Sequence, residues 1–270
     1  MGFIEKLKSA AAKNGSLLCV GLDFDPEKTP PPFKNNPLEF NRLVIDATAD
    51  LACAYKPNMA FYEPLGLAGL AALEKTIRHV PAGIPVILDA KRGDIGNTSR
   101  QYARMAFDWL NADAVTVAPY MGEDSVSPFL ERAGRGVFVL CLTSNRGASD
   151  FQRLKCDGEY LYLHVAKRCG EWAARYPADL GLVVGATQDE IAEIRRVSRL
   201  PFLIPGAGAQ GGDLKKAVVE GGRGGLAIIN ASRSVIYPEG GADPAESVRA
   251  AATALRAEIN RYRTTPEDAK

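Results

Sequence analysis

Apolar, β-branched runs recur along the chain at Ser16–Asp23, Cys53–Asn58, Pro85–Lys91, Ala114–Tyr120, Gly136–Ser144, Leu180–Ala186, Pro201–Gly208 and Gly224–Arg233. Each run is nearly continuous rather than alternating. That is the pattern of a parallel strand covered on both faces. Between the runs lie stretches of helical period, among them Pro37–Leu51, Gly66–His79, Thr98–Leu110 and Asp189–Ser198. Eight strand–helix alternations predict an α/β fold, a single (β/α)8 TIM barrel. A doubly wound open sheet is the alternative for the same alternation.

The two ends fit one closed unit spanning residues 1–270. Phe3, Ile4, Leu7 and Ala11 recur at helical spacing, which predicts a helix at about 3–13 covering the barrel bottom. Asp243-Pro-Ala-Glu246 has the form of a capping box with Pro at the first helical position. Val248, Ala252, Leu255, Ile259 and Tyr262 follow on one helix face, and a frayed tail is expected at about 264–270. Pro30-Pro-Pro, Asp150–Glu159 and Gly206–Gly212 read as long loops.

Composition narrows the partners. Lys plus Arg is 33 and Asp plus Glu is 32. That balance lacks the electrostatic footprint of a nucleic-acid or anionic-membrane binder. No apolar run approaches the roughly 18 residues of a membrane span. The opening Met-Gly-Phe-Ile-Glu-Lys-Leu-Lys is charged where a signal peptide is apolar, so the expected place is the cytoplasm. The five cysteines form no CxxC pair and read as inert thiols in a reducing compartment.

In a barrel of this kind the chemistry sits where the strands end. The first run ends in Val20-Gly-Leu-Asp23 and the second in Tyr55-Lys56-Pro-Asn58. The third ends in Asp89-Ala-Lys91, followed by Arg92-Gly-Asp94-Ile95-Gly-Asn97-Thr98. The strand period of two puts Asp89 and Lys91 on one face. If Val86 and Leu88 face the helices, Lys56, Asp89, Lys91 and Asp94 converge at the barrel mouth with Asp23 beside them. A lone Asp at a strand end is commonly a cap or turn former, and a lone Lys a solvated rim charge. Together they form a set of alternating sign, which is what burial of charge requires. They are therefore the candidate catalytic constellation.

The late loops differ in character. Pro205-Gly-Ala-Gly-Ala-Gln-Gly-Gly212 follows the seventh run, and Ile229-Asn-Ala-Ser232-Arg233-Ser234 the eighth. Barrel loops seven and eight are a common phosphate site. Glycines let backbone amides approach an anion, and Arg233 can grip it with two parallel bonds. Gly206, Gly208 and Gly211 also match GxGxxG, but no acidic residue ends the next strand, so a phosphate monoester fits better than a dinucleotide. His79 and His164, the two histidines, lie in helix-like stretches, which argues against a His-based metal site or a Ser-His-Asp triad.

These segments resemble the orotidine 5′-phosphate decarboxylase family. The residues that carry the resemblance are Asp89-Ala-Lys91-Arg-Gly-Asp94-Ile95 with Thr98, Lys56, Gly21-Leu-Asp23 and Pro205-Gly-Ala-Gly-Ala-Gln-Gly-Gly-Asp213. Phe61-Tyr-Glu-Pro, Leu142-Thr-Ser-Asn-Arg-Gly-Ala148 and Asn230-Ala-Ser-Arg-Ser resemble its longer bacterial subgroup. The resemblance runs from about residue 16 to 237. It implies decarboxylation of orotidine 5′-phosphate to uridine 5′-phosphate, the last step of de novo pyrimidine synthesis, with no metal and no organic cofactor.

By the same resemblance Lys91 protonates ring carbon 6, Asp89 lies against the substrate carboxylate, and Lys56 and Asp94 complete the charge network. Asp94, Ile95 and Thr98 reach the neighbouring subunit's site, so a homodimer with shared active sites is implied. Asp23 and Thr98 hold the ribose hydroxyls, Ser144 reads the pyrimidine edge, and Gln210 and Arg233 hold the phosphate. Ser232 departs from the pattern, since many members have Gly there; it removes no charge and is expected to preserve phosphate binding, with some crowding of the backbone approach. Two other readings remain open: a magnesium-dependent sugar-phosphate decarboxylase or aldolase on a similar barrel, and a silent nucleotide-binding barrel.

Overall fold

A computed structural model describes residues 1–185, 190–206 and 213–263. The apolar runs fold into eight parallel barrel strands: β1 (Leu18–Gly21), β2 (Ala54–Lys56), β3 (Ile87–Arg92), β4 (Ala114–Val117), β5 (Gly136–Leu142), β6 (Asp179–Val184), β7 (Phe202–Pro205) and β8 (Ala227–Ala231). They pair in the order β2-β1-β8-β7-β6-β5-β4-β3. Bridges between Tyr55 and Val86 and between Asn58 and Asp89 join β2 to β3 and close the circle. That closure rules out the open doubly wound sheet.

Strand alternation sorts the side chains into two cores. Cys19, Ala54, Ile87, Ala114, Phe138, Val183, Leu203 and Ile228 point into the barrel. Val20, Tyr55, Leu88, Val115, Val137, Leu182, Ile204 and Ile229 pack outward under the helices. Each Val, Leu, Ile or Phe among them contributes about 1.5–3 kcal/mol on removal from water, before ordering costs.

The helix Phe3–Lys13 floors the barrel, with Phe3 and Leu7 joining the inner core. Phe3 meets the Phe138 ring edge-on at 5.7 Å. Gly136 makes that approach possible, because a Cβ there would lie 2.4 Å from the Phe3 ring. Two carboxylates fasten the helix: Asp179 accepts the Ile4 amide at 2.9 Å, and Asp113 pairs with Lys6 at 2.7 Å.

The helices lie close to the periodic stretches. Gly66–His79 forms as read, the first stretch ends three residues early as Pro37–Thr48, and Ile191–Val197 forms within the fourth stretch. The third begins two residues early, at Gly96, and its last turn, Met105–Trp109, widens to π geometry. One expectation needs correction. The segment Asp150–Glu159 is not a plain loop: the helix Ala148–Phe151 enters it, and Lys155–Cys156 pairs antiparallel with Glu159–Tyr160. Two-residue strands carry no readable period, which is why the pattern hides them. At the other end Asp243 accepts the Ala245 and Glu246 amides and starts the helix Pro244–Arg263.

Candidate active site

The mouth of the barrel is organised by an irregularity in β3. Leu88 pairs with Val115, but the next pairing is Arg92 with Val117, so four steps on β3 face two on β4. Parity holds as far as Asp89: Ile87 faces inward, Leu88 and Ala90 outward. At Lys91 the backbone turns left-handed, with φ of +47°. For a residue with a Cβ this costs about 1–2 kcal/mol, and strain of this kind concentrates at functional sites.

The bulge strands two amides, and one side chain takes both. The Thr116 hydroxyl oxygen accepts from Ala90 N at 3.0 Å and Lys91 N at 2.9 Å. Its proton goes to Asp89 Oδ1 at 2.9 Å. The turned Lys91 sends its ammonium back to the same oxygen at 2.7 Å, while Lys56 from β2 reaches Asp89 Oδ2 at 2.9 Å. One carboxylate thus receives three donors. The sequence pairing of Asp89 with Lys91 and Lys56 is realised, by way of a bulge that the strand period does not foresee.

The electrostatics follow from burial. Lys56 is almost completely buried, and burial alone would push its ammonium toward neutrality. Asp89, with Asp23, reverses the sign and holds it above the ordinary lysine value. Burial would likewise raise the Asp89 carboxyl, yet Lys56 and Lys91 hold it well below the usual carboxylate range. Beneath them the buried Cys19 thiol is pushed up to about 12, mainly by desolvation, and stays neutral.

Asp23 sits at the end of β1. Its Oδ2 accepts a short hydrogen bond from Ser232, and its Oδ1 is buried with no hydrogen-bond partner among the described residues. That oxygen is free to accept from a ligand. The Phe61-Tyr-Glu-Pro segment braces both neighbours of the site. Tyr62 donates to the Leu22 carbonyl at 2.6 Å, one residue before Asp23. Glu63 pairs with Arg92, one residue after Lys91, and Arg92 also lies over the Tyr102 ring.

The remaining candidates occupy the rim. Asp94 accepts the Ile95 amide at 2.7 Å and forms no ion pair with Lys91 within the chain. Ile95 and Thr98 are exposed after β3. Ser144 is exposed after β5, where Gly185 lets it approach β6: a Cβ on Gly185 would lie 2.7 Å from the Ser144 amide. Arg233 is exposed and opens the single turn Arg233–Ile236 after β8. Gln210 lies outside the described residues. The sequence reading missed Thr116 and the bracing role of Tyr62. Thr116 did leave a signal, as the one polar residue of Ala114–Val117 with inward parity.

A parallel barrel with interlocked lysines and an aspartate at its C-terminal mouth defines a class of (β/α)8 enzymes that act on small anionic substrates. Comparison with known proteins narrows it. Residues 16–251 match the model of the Orotidine 5′-phosphate decarboxylase / HUMPS family. The chain belongs to that family. A curated orotidine 5′-phosphate decarboxylase from Dehalococcoides mccartyi is 51% identical over 272 residues, covering 97% of this chain and 99% of the relative. One from Herpetosiphon aurantiacus is 50% identical over 260 residues, covering 94% and 96%. Among solved structures, the Leishmania donovani OMP decarboxylase superposes with a TM-score of 0.84 at 42% identity, covering 98% of this chain and all of that one. A putative orotidine-monophosphate decarboxylase from Toxoplasma gondii gives 0.87 at 37%, covering 96% of each chain. These matches make the chain an enzyme of the carboxy-lyase class.

Proposed function

We propose that the chain converts orotidine 5′-phosphate to uridine 5′-phosphate and carbon dioxide through the Lys56–Asp89–Lys91 cluster. The observation that carries the mechanism is the three-donor grip on Asp89, which fixes the Lys91 ammonium at the barrel mouth. As the bond from ring carbon 6 to the carboxylate breaks, its electron pair stays on carbon 6. That pair lies in the ring plane, where the π system stabilises it poorly. A fixed ammonium stabilises the charge as it develops and then gives up a proton to carbon 6. Carbon dioxide departs, and Lys91 takes a proton back from water.

Asp89 has a second part in this reading. Held ionised by its lysines, it faces the substrate carboxylate with like charge, a repulsion that ends as carbon dioxide leaves. Lys56, buried behind Asp89, balances its charge. Asp23, with a buried oxygen to offer, accepts from the ribose hydroxyls. Ser144 reads the pyrimidine edge. Gln210 and Arg233 take the phosphate, far from the reacting carbon. Binding energy gained there is spent on positioning at the other end of the substrate.

A homodimer completes the site. Asp94, Ile95 and Thr98 act in the neighbour's site, a reading supported by Asp94 making no ion pair with Lys91 among the described residues. Large apolar side chains crowd the same rim: Ile95 is 61% exposed, Tyr120 83% and Phe151 58%, and Tyr120 already meets Phe151 edge to face. Such a patch is the mark of a protein interface.

Ultraviolet absorbance of orotidine 5′-phosphate, with and without EDTA, tests the activity. Loss of the substrate band in both conditions is the expected result. Loss only without EDTA would point to the magnesium-dependent sugar-phosphate chemistry of related barrels. Tight uridine 5′-phosphate binding without turnover would point to the silent barrel.

A further inference from the structure

We propose that Thr116 is a positioning residue for the Asp89–Lys91 pair, setting the place from which the proton is delivered. The proposal rests on the decarboxylase reading of this site and adds a residue to it. Thr116 is buried on β4. Its hydroxyl makes three bonds, the full capacity of the group: two accepted from Ala90 N and Lys91 N, one donated to Asp89 Oδ1.

Those three bonds fix different things. The two amides belong to the bulge, where β3 runs two residues ahead of β4 and no β4 carbonyl is opposite. Without the hydroxyl oxygen the buried Ala90 amide and the partly buried Lys91 amide lose their acceptor, and the left-handed turn at Lys91 loses its anchor. The donated proton lies on the same Asp89 oxygen that receives the Lys91 ammonium. Thr116 therefore ties the Lys91 backbone to the partner of the Lys91 side chain. A lysine side chain has four rotatable carbons and a point charge, so it cannot define its own position. The loop closed by Thr116, Asp89 and Lys91 defines it.

The test compares Thr116→Val with Thr116→Ser. Valine keeps the branched shape and removes the hydroxyl. Serine keeps the hydroxyl and removes the methyl. Thr116→Val is expected to lower kcat by about 100-fold, the cost of a misplaced reacting group, with KM within about threefold of wild type. Thr116→Ser should stay within about threefold on both constants. A purely structural role would put the same loss in both variants, or would lower the folded fraction without changing kcat per folded site.

A second readout does not need the reaction. Acetic anhydride is added in trace amount, and acetylation of Lys91 relative to the exposed Lys8 is read by mass spectrometry. Acetylation needs the free amine, released from the Asp89 carboxylate, so a Lys91 whose pairing is loosened acetylates faster. The ratio should rise several-fold in Thr116→Val and stay at the wild-type value in Thr116→Ser. Unchanged kcat and unchanged acetylation in Thr116→Val would overturn the proposal, as would equal losses in the two variants. If the wild type itself fails to decarboxylate orotidine 5′-phosphate, the functional reading falls, and the Lys91 acetylation ratio alone decides the role of Thr116.

Discussion

Ser232 donates its hydroxyl proton to Asp23 and thereby joins the end of β8 to the end of β1. The two strands are neighbours in the sheet, and Gly21 makes the contact possible. A Cβ on Gly21 would lie 2.7 Å from the Ser232 Cβ. Gly21 supplies the room for the Ser232 side chain, and Asp23 gains a donor. The bond holds one carboxylate oxygen and leaves the other to a ligand. Ser232→Ala should therefore raise KM for orotidine 5′-phosphate about tenfold, the low end for a hydrogen bond to a charged group, with kcat less affected. An unchanged KM in steady-state kinetics would show that Asp23 is held without Ser232.

Lys91 and Arg233 stand at opposite ends of the proposed substrate, and their removal should separate in kinetics. Lys91→Ala deletes the proton donor and should abolish nearly all turnover. Arg233→Ala should mainly raise KM, by an amount equivalent to about 2–4 kcal/mol for a charge-assisted bidentate contact. Equal losses of kcat in both variants, with substrate affinity retained, would count against the division of roles.

The barrel was legible because parallel strands buried on both faces write continuous apolar runs, and the eight runs lie where the strands form. The strand-end charges were legible for a related reason. Asp89 and Lys91 interrupt an apolar run, and a charge there must find partners. What the pattern could not show is conformation without a residue signature. The left-handed backbone at Lys91 has no glycine to announce it, and the bulge shifts register without changing composition. The inward polar Thr116 in Ala114–Val117 is visible in the sequence, but its three bonds depend on that shift and are not. The antiparallel pair at Lys155–Cys156 and Glu159–Tyr160 was too short to carry a period.

The proposed shared site predicts complementation between dead variants. Lys91→Ala and Asp94→Asn each disable every site in their own homodimers if Asp94 acts across the interface. In a mixed dimer, one site collects both substitutions and the other collects none. Equal mixing with free subunit exchange should restore about one quarter of wild-type activity, because half the dimers are mixed and each has one intact site. Activity that stays at the level of the unmixed variants, with exchange verified by mass spectrometry, would place Asp94 in the site of its own chain. Tyr120→Asp should weaken the dimer in sedimentation equilibrium, since it puts charge into the apolar rim.

Asp89→Asn should reverse the alkaline pH dependence of stability. In the wild type the Lys56 value is raised on folding. Its stabilising contribution is then full below the unfolded lysine value of about 10.4 and is lost as pH climbs from there toward the folded value. The depressed Asp89 carboxyl acts at the other end: its contribution is full above about 3.9 and disappears as pH falls toward its folded value. Asparagine removes the acid limb of Asp89 and leaves Lys56 buried beside a neutral amide. Desolvation, already the largest influence on Lys56, then outweighs the more distant Asp23 and lowers its value. A lysine with a lowered folded value destabilises the fold below that value and ceases to do so as pH rises toward about 10.4. Urea unfolding of Asp89→Asn should show a loss of about 3–5 kcal/mol near neutrality, the cost of breaking a buried pair, recovering in part as the pH is raised. A variant whose stability falls in parallel with the wild type above pH 9 or so would show that Asp23 alone keeps Lys56 charged.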